Sequence, residues 1–286
     1  MLTVEQGADL VRLIDEEAKS SCSLVPSRGA IVFDWRVGGR TLLYLDEATL
    51  ADPSKNVRGG IPLLFPTPGK LAGDAWSRVG QSGALKQHGF ARDVAWSVAG
   101  TSTDGAANAT LVTESTEATR ARFPWEFDLS MAYSLSGSRL RLDFRVANHS
   151  KSVMPFGFGI HPYFHVIDKR SAHIDTKATR AFDNVTKKDV PFLGFDLTLP
   201  EVDTHLYDHD ASESALHLGA ADGGGAIRVR CSPELSHWVV WTVAGKDYVC
   251  VEPWTSPGNA LNTGEGILEL APKSVRELWI EMSLEG

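Results

Sequence analysis

Residues 139–146 read RLRLDFRV. Leu140, Leu142, Phe144 and Val146 fall on one side of an extended backbone, and Arg139, Arg141, Asp143 and Arg145 on the other. Alternation of period two belongs to a strand with one face on a core and one in water. A helix would scatter the same apolar residues around its circumference. Similar runs lie at Ala30–Val37, Thr41–Leu45, Trp96–Val98, Ala109–Thr113, Phe127–Leu135, Ala226–Cys231, Trp238–Val243, Tyr248–Val251 and Glu277–Met282. Gly38-Gly39, Asp104-Gly105, Gly137, Asp222–Gly225 and Gly245 punctuate them as turns. Many short strands without long intervening helices predict a mainly β fold, an antiparallel sandwich rather than a βαβ fold. Helical signal is confined to three places. Residues 3–18 suit a short helix, with Thr3 as N-cap and Glu5 and Asp9 near its start, although Leu10–Ile14 reads equally as a strand. Single helical turns are expected near Gln81–Lys86 and Ser232–Leu235. No Ser/Pro linker, charge block or fixed repeat divides the 286 residues, which read as one domain.

Charge narrows the choice of partner. Lys and Arg total 28 against 36 Asp and Glu, a formal charge of −8, which speaks against a nucleic-acid or other polyanion binder while leaving room for a local basic pocket. Cys22, Cys231 and Cys250 are odd in number and form no CxxC pair, so they read as small apolar core residues rather than disulfides or zinc ligands. The N-terminus carries acids where a signal peptide carries a basic patch, and no run approaches the length of a membrane span. A cytoplasmic protein without a membrane partner is the expectation. Walker, dinucleotide, nucleophile-elbow and HExxH motifs are all missing from the sequence. His205 and His209 have a spacing that suits a metal but read better as a solvated loop.

Four segments set polar residues in apolar or Gly/Pro-rich surroundings. Arg58 opens RGGIPLLFP, whose glycines permit a sharp turn and close approach of a ligand. In LKQHGFAR, His88 and Arg92 flank Gly89 and Phe90; a histidine in such a loop can face a ligand, and an arginine can hold hydroxyls or phosphate through two bonds. His161 ends an apolar strand in HPYF, with His165 as a rival. Glu252 closes the apolar run of VCVEPW, where an acid facing a pocket serves as a general base. Taken singly, each also has a purely structural reading: Arg58 and Glu252 as exposed strand ends, His88 as a surface-loop residue, His161 as a core histidine bonded to backbone.

Taken together, RGGIPLLFP, HGFAR, HPYF and VEPW, in that order and spacing, resemble the aldose 1-epimerase (mutarotase) superfamily, near its hexose-6-phosphate 1-epimerase-like branch. The similarity runs from Pro26 to the C-terminal LELAPKSVRELWIEM. The resemblance implies a β-supersandwich of large, twisted antiparallel sheets with a concave sugar site. It also implies roles: His161 and Glu252 catalytic, His88 holding the sugar, Arg58 and Arg92 near a substrate phosphate, and Asp203 binding sugar hydroxyls. Two departures from the phosphosugar branch stand out. Asp203 is followed by Thr204 rather than Arg, and PTPGKLAGDAW replaces an aromatic-rich stretch. The implied substrate is therefore a hexose or a hexose 6-phosphate.

Anomer exchange suits these residue types. A base takes the proton of the C1 hydroxyl, an acid protonates the ring oxygen, and the open-chain aldehyde recloses on its other face. An imidazole and a carboxylate suffice, with no metal and no cofactor. Glu252 is expected as base and His161 as acid, the carboxylate holding the imidazole partly protonated. Trp254, Tyr163 or Phe164 is expected to wall the sugar ring. Arg58, Lys70, Lys86 and Arg92 are the cations that a phosphate pocket would draw on. The rival functions are a sugar-binding or regulatory protein on the same fold and a different carbohydrate enzyme such as a hydrolase, which would usually need two carboxylates.

Overall fold

A computed structural model describes residues 1–286. RLRLDFRV lies within the strand Arg139–Asn148, which pairs on one edge with Phe127–Ser136 and on the other with Val275–Glu285. Its four apolar residues are buried, Leu140 and Val146 completely. The strand sits inside an eight-stranded sheet that runs from His173–Ile174 at one edge to Ser97–Ser102 at the other. A second large sheet runs from Lys188–Pro191 through Arg180–Asp183, Glu201–Leu206, His237–Val243 and Tyr248–Trp254 to Gly159–Ile160 and Leu63–Leu64. Tyr163–His165 pairs beside it on the Tyr248–Trp254 strand. A five-stranded meander covers residues 2–41. Every ladder between named strands is antiparallel, so the mainly β sandwich expected from the alternation is the architecture found.

The N-terminal helix is not formed. Residues 3–18 fold instead as a hairpin of Leu2–Gln6 on Val11–Asp15, with Thr3 opposite Ile14. Val11 and Leu13 are fully buried while Arg12 between them is exposed, so period two outweighed the favourable cap at Thr3. Gln81–Ala84 is likewise a strand, paired with Ala75–Arg78, rather than a helical turn. Ser232–Leu235 is a tight turn closed by the Leu235 N–H on the Ser232 carbonyl. Thr41–Leu45 is less regular than expected: its ladder ends at Thr41, and Leu43 and Leu45 form isolated bridges to Phe164 and Gly59.

One apolar cluster of 59 buried residues gathers side chains from Val11 to Met282. Phe65 lies at its centre, with ring centroids 5.5–6.1 Å from Phe90, Phe123, Phe127, Phe144 and Phe156. All three cysteines are buried and unpaired, as their spacing suggested. No helix is long and apolar enough to cross a membrane.

Candidate active site

The second large sheet has two unlike faces. In Tyr248–Trp254, Val249 and Val251 join the main core, while Glu252 and Trp254 look the other way, into a cavity of about 620 Å³. Neighbouring strands follow the same alternation. Trp238 and Val240 go to the core, whereas His237, Val239 and Trp241 line the cavity; Val202 and Leu206 go to the core, whereas Glu201, Asp203 and His205 line it. The register puts these residues side by side: Asp203 opposite Trp241, His205 opposite Val239, Val239 opposite Glu252, and His237 opposite Trp254. Period two thus makes one continuous polar floor from every second residue of adjacent strands.

Glu252 and His161 meet on this floor. Glu252 is 1% exposed, and its Oε1 lies 3.5 Å from His161 Nε2. Its Oε2 accepts a bond of 3.2 Å from Trp254 Nε1. The His161 ring stacks on Tyr163 at 4.7 Å and meets the edges of Trp241 and His88. Its Nδ1 is buried with no partner in the protein. Burial pushes the His161 imidazole well below its ordinary value, helped by His88, Arg92 and Arg58. Burial likewise pushes the Glu252 carboxyl well up, reinforced by the charge of Asp203. The expectation that the carboxylate would keep His161 partly protonated is therefore not met. Desolvation opposes the charged form of both groups.

His88 enters from a loop whose backbone takes positive φ at His88 and Gly89, 72° and 70°. Its Nδ1–H donates to the Pro68 carbonyl, which fixes the tautomer and leaves Nε2 as an acceptor. Burial, with Arg92 nearby, pushes its pKa down to about 3, so the ring is neutral. Asp203 accepts a bond of 2.6 Å from Asn184 Nδ2 and stands 3.5 Å from His205 Nε2.

Of the six site residues expected from the sequence, His161, Glu252, His88, Asp203 and Arg58 line the cavity. Arg92 does not. Its guanidinium donates to the Gln87 carbonyl, faces Asp93 at 4.0 Å, and borders a separate cavity of about 120 Å³. The four candidate phosphate cations divide in the same way. Arg58 and Lys70 reach the main cavity, whereas Lys86 pairs with Asp93 at 3.2 Å beside Arg92. Trp254 provides an aromatic wall; Tyr163 lies behind His161, and Phe164 is fully buried in the core. His165 does not line the cavity. His205 and His209 do not converge: His205 Nδ1 bonds His237 Nε2 at 2.8 Å, and His209 bonds Thr176 and the Glu213 carbonyl.

Sequence reasoning does not find His237, Trp241, Glu201, Asn184 and Lys187, and it reads His205 as part of a solvated loop, whereas His205 is buried in the strand Glu201–Leu206. The signal that reaches some of them is the alternation in EVDTH, where Glu201, Asp203 and His205 occupy every second place. Such a strand buries one face in apolar core and leaves the other polar although covered.

A sequence profile of the aldose 1-epimerase family matches residues 10–282. The chain belongs to that family. The Slr1438 protein of Synechocystis is 38% identical to this chain, with a TM-score of 0.94 over 99% of this chain and 97% of that one. A galactose mutarotase-like protein of Clostridium acetobutylicum shares the fold, with a TM-score of 0.84 at 18% identity over 100% of this chain and 98% of that one. Protein LacX of Lactococcus lactis is 24% identical over 82% of this chain and 85% of its own length. A Cenchrus ciliaris protein named "Putative glucose-6-phosphate 1-epimerase" is 28% identical over 65% of this chain, a match that spans 56% of that protein. The β-supersandwich of this epimerase family is thus the fold of the chain.

Proposed function

We propose that the chain interconverts the α and β anomers of a hexose by acid–base ring opening. The observation that carries this is the buried His161–Glu252 contact of 3.5 Å on the floor of a cavity lined by hydroxyl-binding groups. In this mechanism the pair shares a single proton, and burial favours its place on Glu252. Sugar hydroxyls add the hydrogen bonds that let it pass to His161, giving a carboxylate and an imidazolium. The carboxylate then takes the C1 hydroxyl proton while the imidazolium protonates the ring oxygen. That step returns both groups to their neutral forms, the state that burial favours, so the site holds the open-chain aldehyde without an uncompensated charge. Rotation about C1–C2 and the reverse transfers yield the other anomer. Neutral His88 accepts a sugar hydroxyl at Nε2, Asp203 accepts others, and Trp254 walls the ring.

The rim cations Arg58 and Lys70 suit a hexose 6-phosphate, in keeping with the name of the Cenchrus relative. Anomer exchange by NMR, on glucose and glucose 6-phosphate side by side, tests the reading. His161→Ala and Glu252→Gln should each lower the rate about 100- to 10,000-fold while the fold persists. A near-wild-type rate in either variant would refute the acid and base roles of the pair. No acceleration of any hexose by the wild type would leave a sugar-binding protein. Arg58→Ala should raise KM for glucose 6-phosphate about tenfold or more and spare glucose; equal effects would remove the phosphate assignment.

A further inference from the structure

Far along the other large sheet, at the edge formed by His173–Ile174, three potential ligands face outward together. His173 lies opposite His217 on the strand Glu213–His217, while their neighbours Ile174 and Leu216 point to the core. The two imidazoles are stacked, 4.1 Å apart and 3° from parallel. Asp175, two residues from His173 and so on its face, places Oδ2 2.9 Å from His217 Nε2. One donor atom from each residue lies within 4.8 Å of the other two. His173 and Asp175 are exposed and His217 half-buried, so the ring edges and the carboxylate are open to solvent. None of the three lines the catalytic cavity.

We propose that His173, Asp175 and His217 form a surface site for one divalent transition-metal ion of the zinc, nickel or copper type. Two imidazoles and one carboxylate are the donor set that such ions take, with solvent in the remaining positions. Bonds of about 2.0–2.2 Å in a tetrahedron separate ligand atoms by about 3.4 Å, which exposed side chains reach by small rotations from their present spacing. Ladder pairing prepays most of the ordering. The Asp175 N–H bonds the Ala215 carbonyl and the Ser214 hydroxyl donates to the Asp175 carbonyl, so both strands are already in register. Arg228, a cation close enough to act on Asp175, is engaged by Glu285 at 2.8 Å and by Glu213 at 3.5 Å.

Binding there would staple a two-residue edge strand to its neighbour. The chain leaving that edge runs directly into Arg180–Asp183, whose Phe182, with the following Asn184, lines the catalytic cavity. The ion would thereby steady one wall of the cavity from outside. The buried His161–Cys250–Glu252 group is the other cluster of ligand atoms, but two of its three members are the acid–base pair of the proposed reaction.

Zinc titration of the full chain by calorimetry, with magnesium as control, is the test. The expected result is one equivalent of zinc bound and no magnesium, with copper tighter than zinc. His217→Ala and His173→Ala should each weaken zinc at least about tenfold, and the double variant should abolish it. Ni²⁺ should selectively broaden amide resonances of residues 173–176 and 215–218 in the wild type. Absence of zinc binding at millimolar metal would overturn the site. So would binding that survives in the double variant, or broadening centred elsewhere.

Discussion

Glu252 shows how one residue is held between stability and chemistry. Its folded-state pKa is raised by burial, so the contribution to stability is complete below the unfolded carboxylate pKa of about 4.3 and is lost as pH rises toward the folded value. Glu252→Gln removes that titration and keeps the acceptor for Trp254 Nε1. The variant should therefore unfold at a higher temperature than the wild type near neutral pH, with a difference that grows by at most about 1.4 kcal/mol per pH unit across the window. Thermal melts from pH 4 to 8 check this; a variant less stable at every pH would contradict it. The same pair predicts the rate profile. In the proposed mechanism the free enzyme acts with one proton on the pair, so kcat/KM should stay level through the ordinary imidazole pKa of about 6.5, because His161 is displaced below it and Glu252 is raised above its ordinary range. Activity lost as pH rises through 6.5 would mean that His161 titrates as a solvated imidazole. His161 and Glu252 were legible in the sequence because each ends an apolar run. His237 was not, because its place in the site depends on the strand opposite, and no local feature records which strands become neighbours.

At the scale of elements, the loop carrying His88 depends on its glycine. Gly89 has φ of 70°, and a Cβ there would overlap the Phe65 carbonyl, which accepts the N–H groups of Phe90 at 2.9 Å and Ala91 at 3.2 Å. Gly89→Ala must push the loop off this anchor. It should cost about 1–3 kcal/mol in stability and raise KM, since His88 moves with its neighbour. Chemical denaturation and anomer-exchange kinetics measure the two effects; a variant with wild-type KM would detach His88 from the substrate. Strands were the elements most readily read from sequence. Residues 139–146 alternate without a break because one face meets only the core, and the alternation ends at Ala147 and Asn148, both buried. Leu2–Gln6 was obscured because it is short and a favourable cap at Thr3 imitates a helix start, whereas Val11–Asp15 matches the strand that Leu10–Ile14 offered as the alternative. Arg92 was misplaced for another reason. HGFAR lies beside the site as a segment, but whether its arginine points into the large cavity or away from it is set by the turn at Gly89 and by Asp93.

Across the whole molecule, the site rests on an apolar hub that belongs to no single sheet. Phe65 follows the Leu63–Leu64 strand and packs on Phe90, two residues beyond His88, and on Phe156, five residues before His161. Its remaining partners Phe127 and Phe144 come from the other eight-stranded sheet, and Phe123 from the chain just before it. The ring thus joins both large sheets and two of the segments that carry site histidines. Phe65→Ala should cost about 3–5 kcal/mol, through lost burial and the cavity left behind. A surface strand would show that loss as stability alone. Here kcat/KM should fall as well under conditions where the variant remains folded, because the His88 loop and the backbone leading to His161 lose their common support. Phe65→Leu, which fills part of the space, should recover much of both. The decisive comparison is with Val251→Ala, on the core face directly beside Glu252. That change should lower stability by about 1–3 kcal/mol and leave the catalytic constants near wild type, because it leaves the ring cluster around Phe65 intact. Equal kinetic losses in the Phe65 and Val251 variants would mean that the site answers to global stability rather than to this hub.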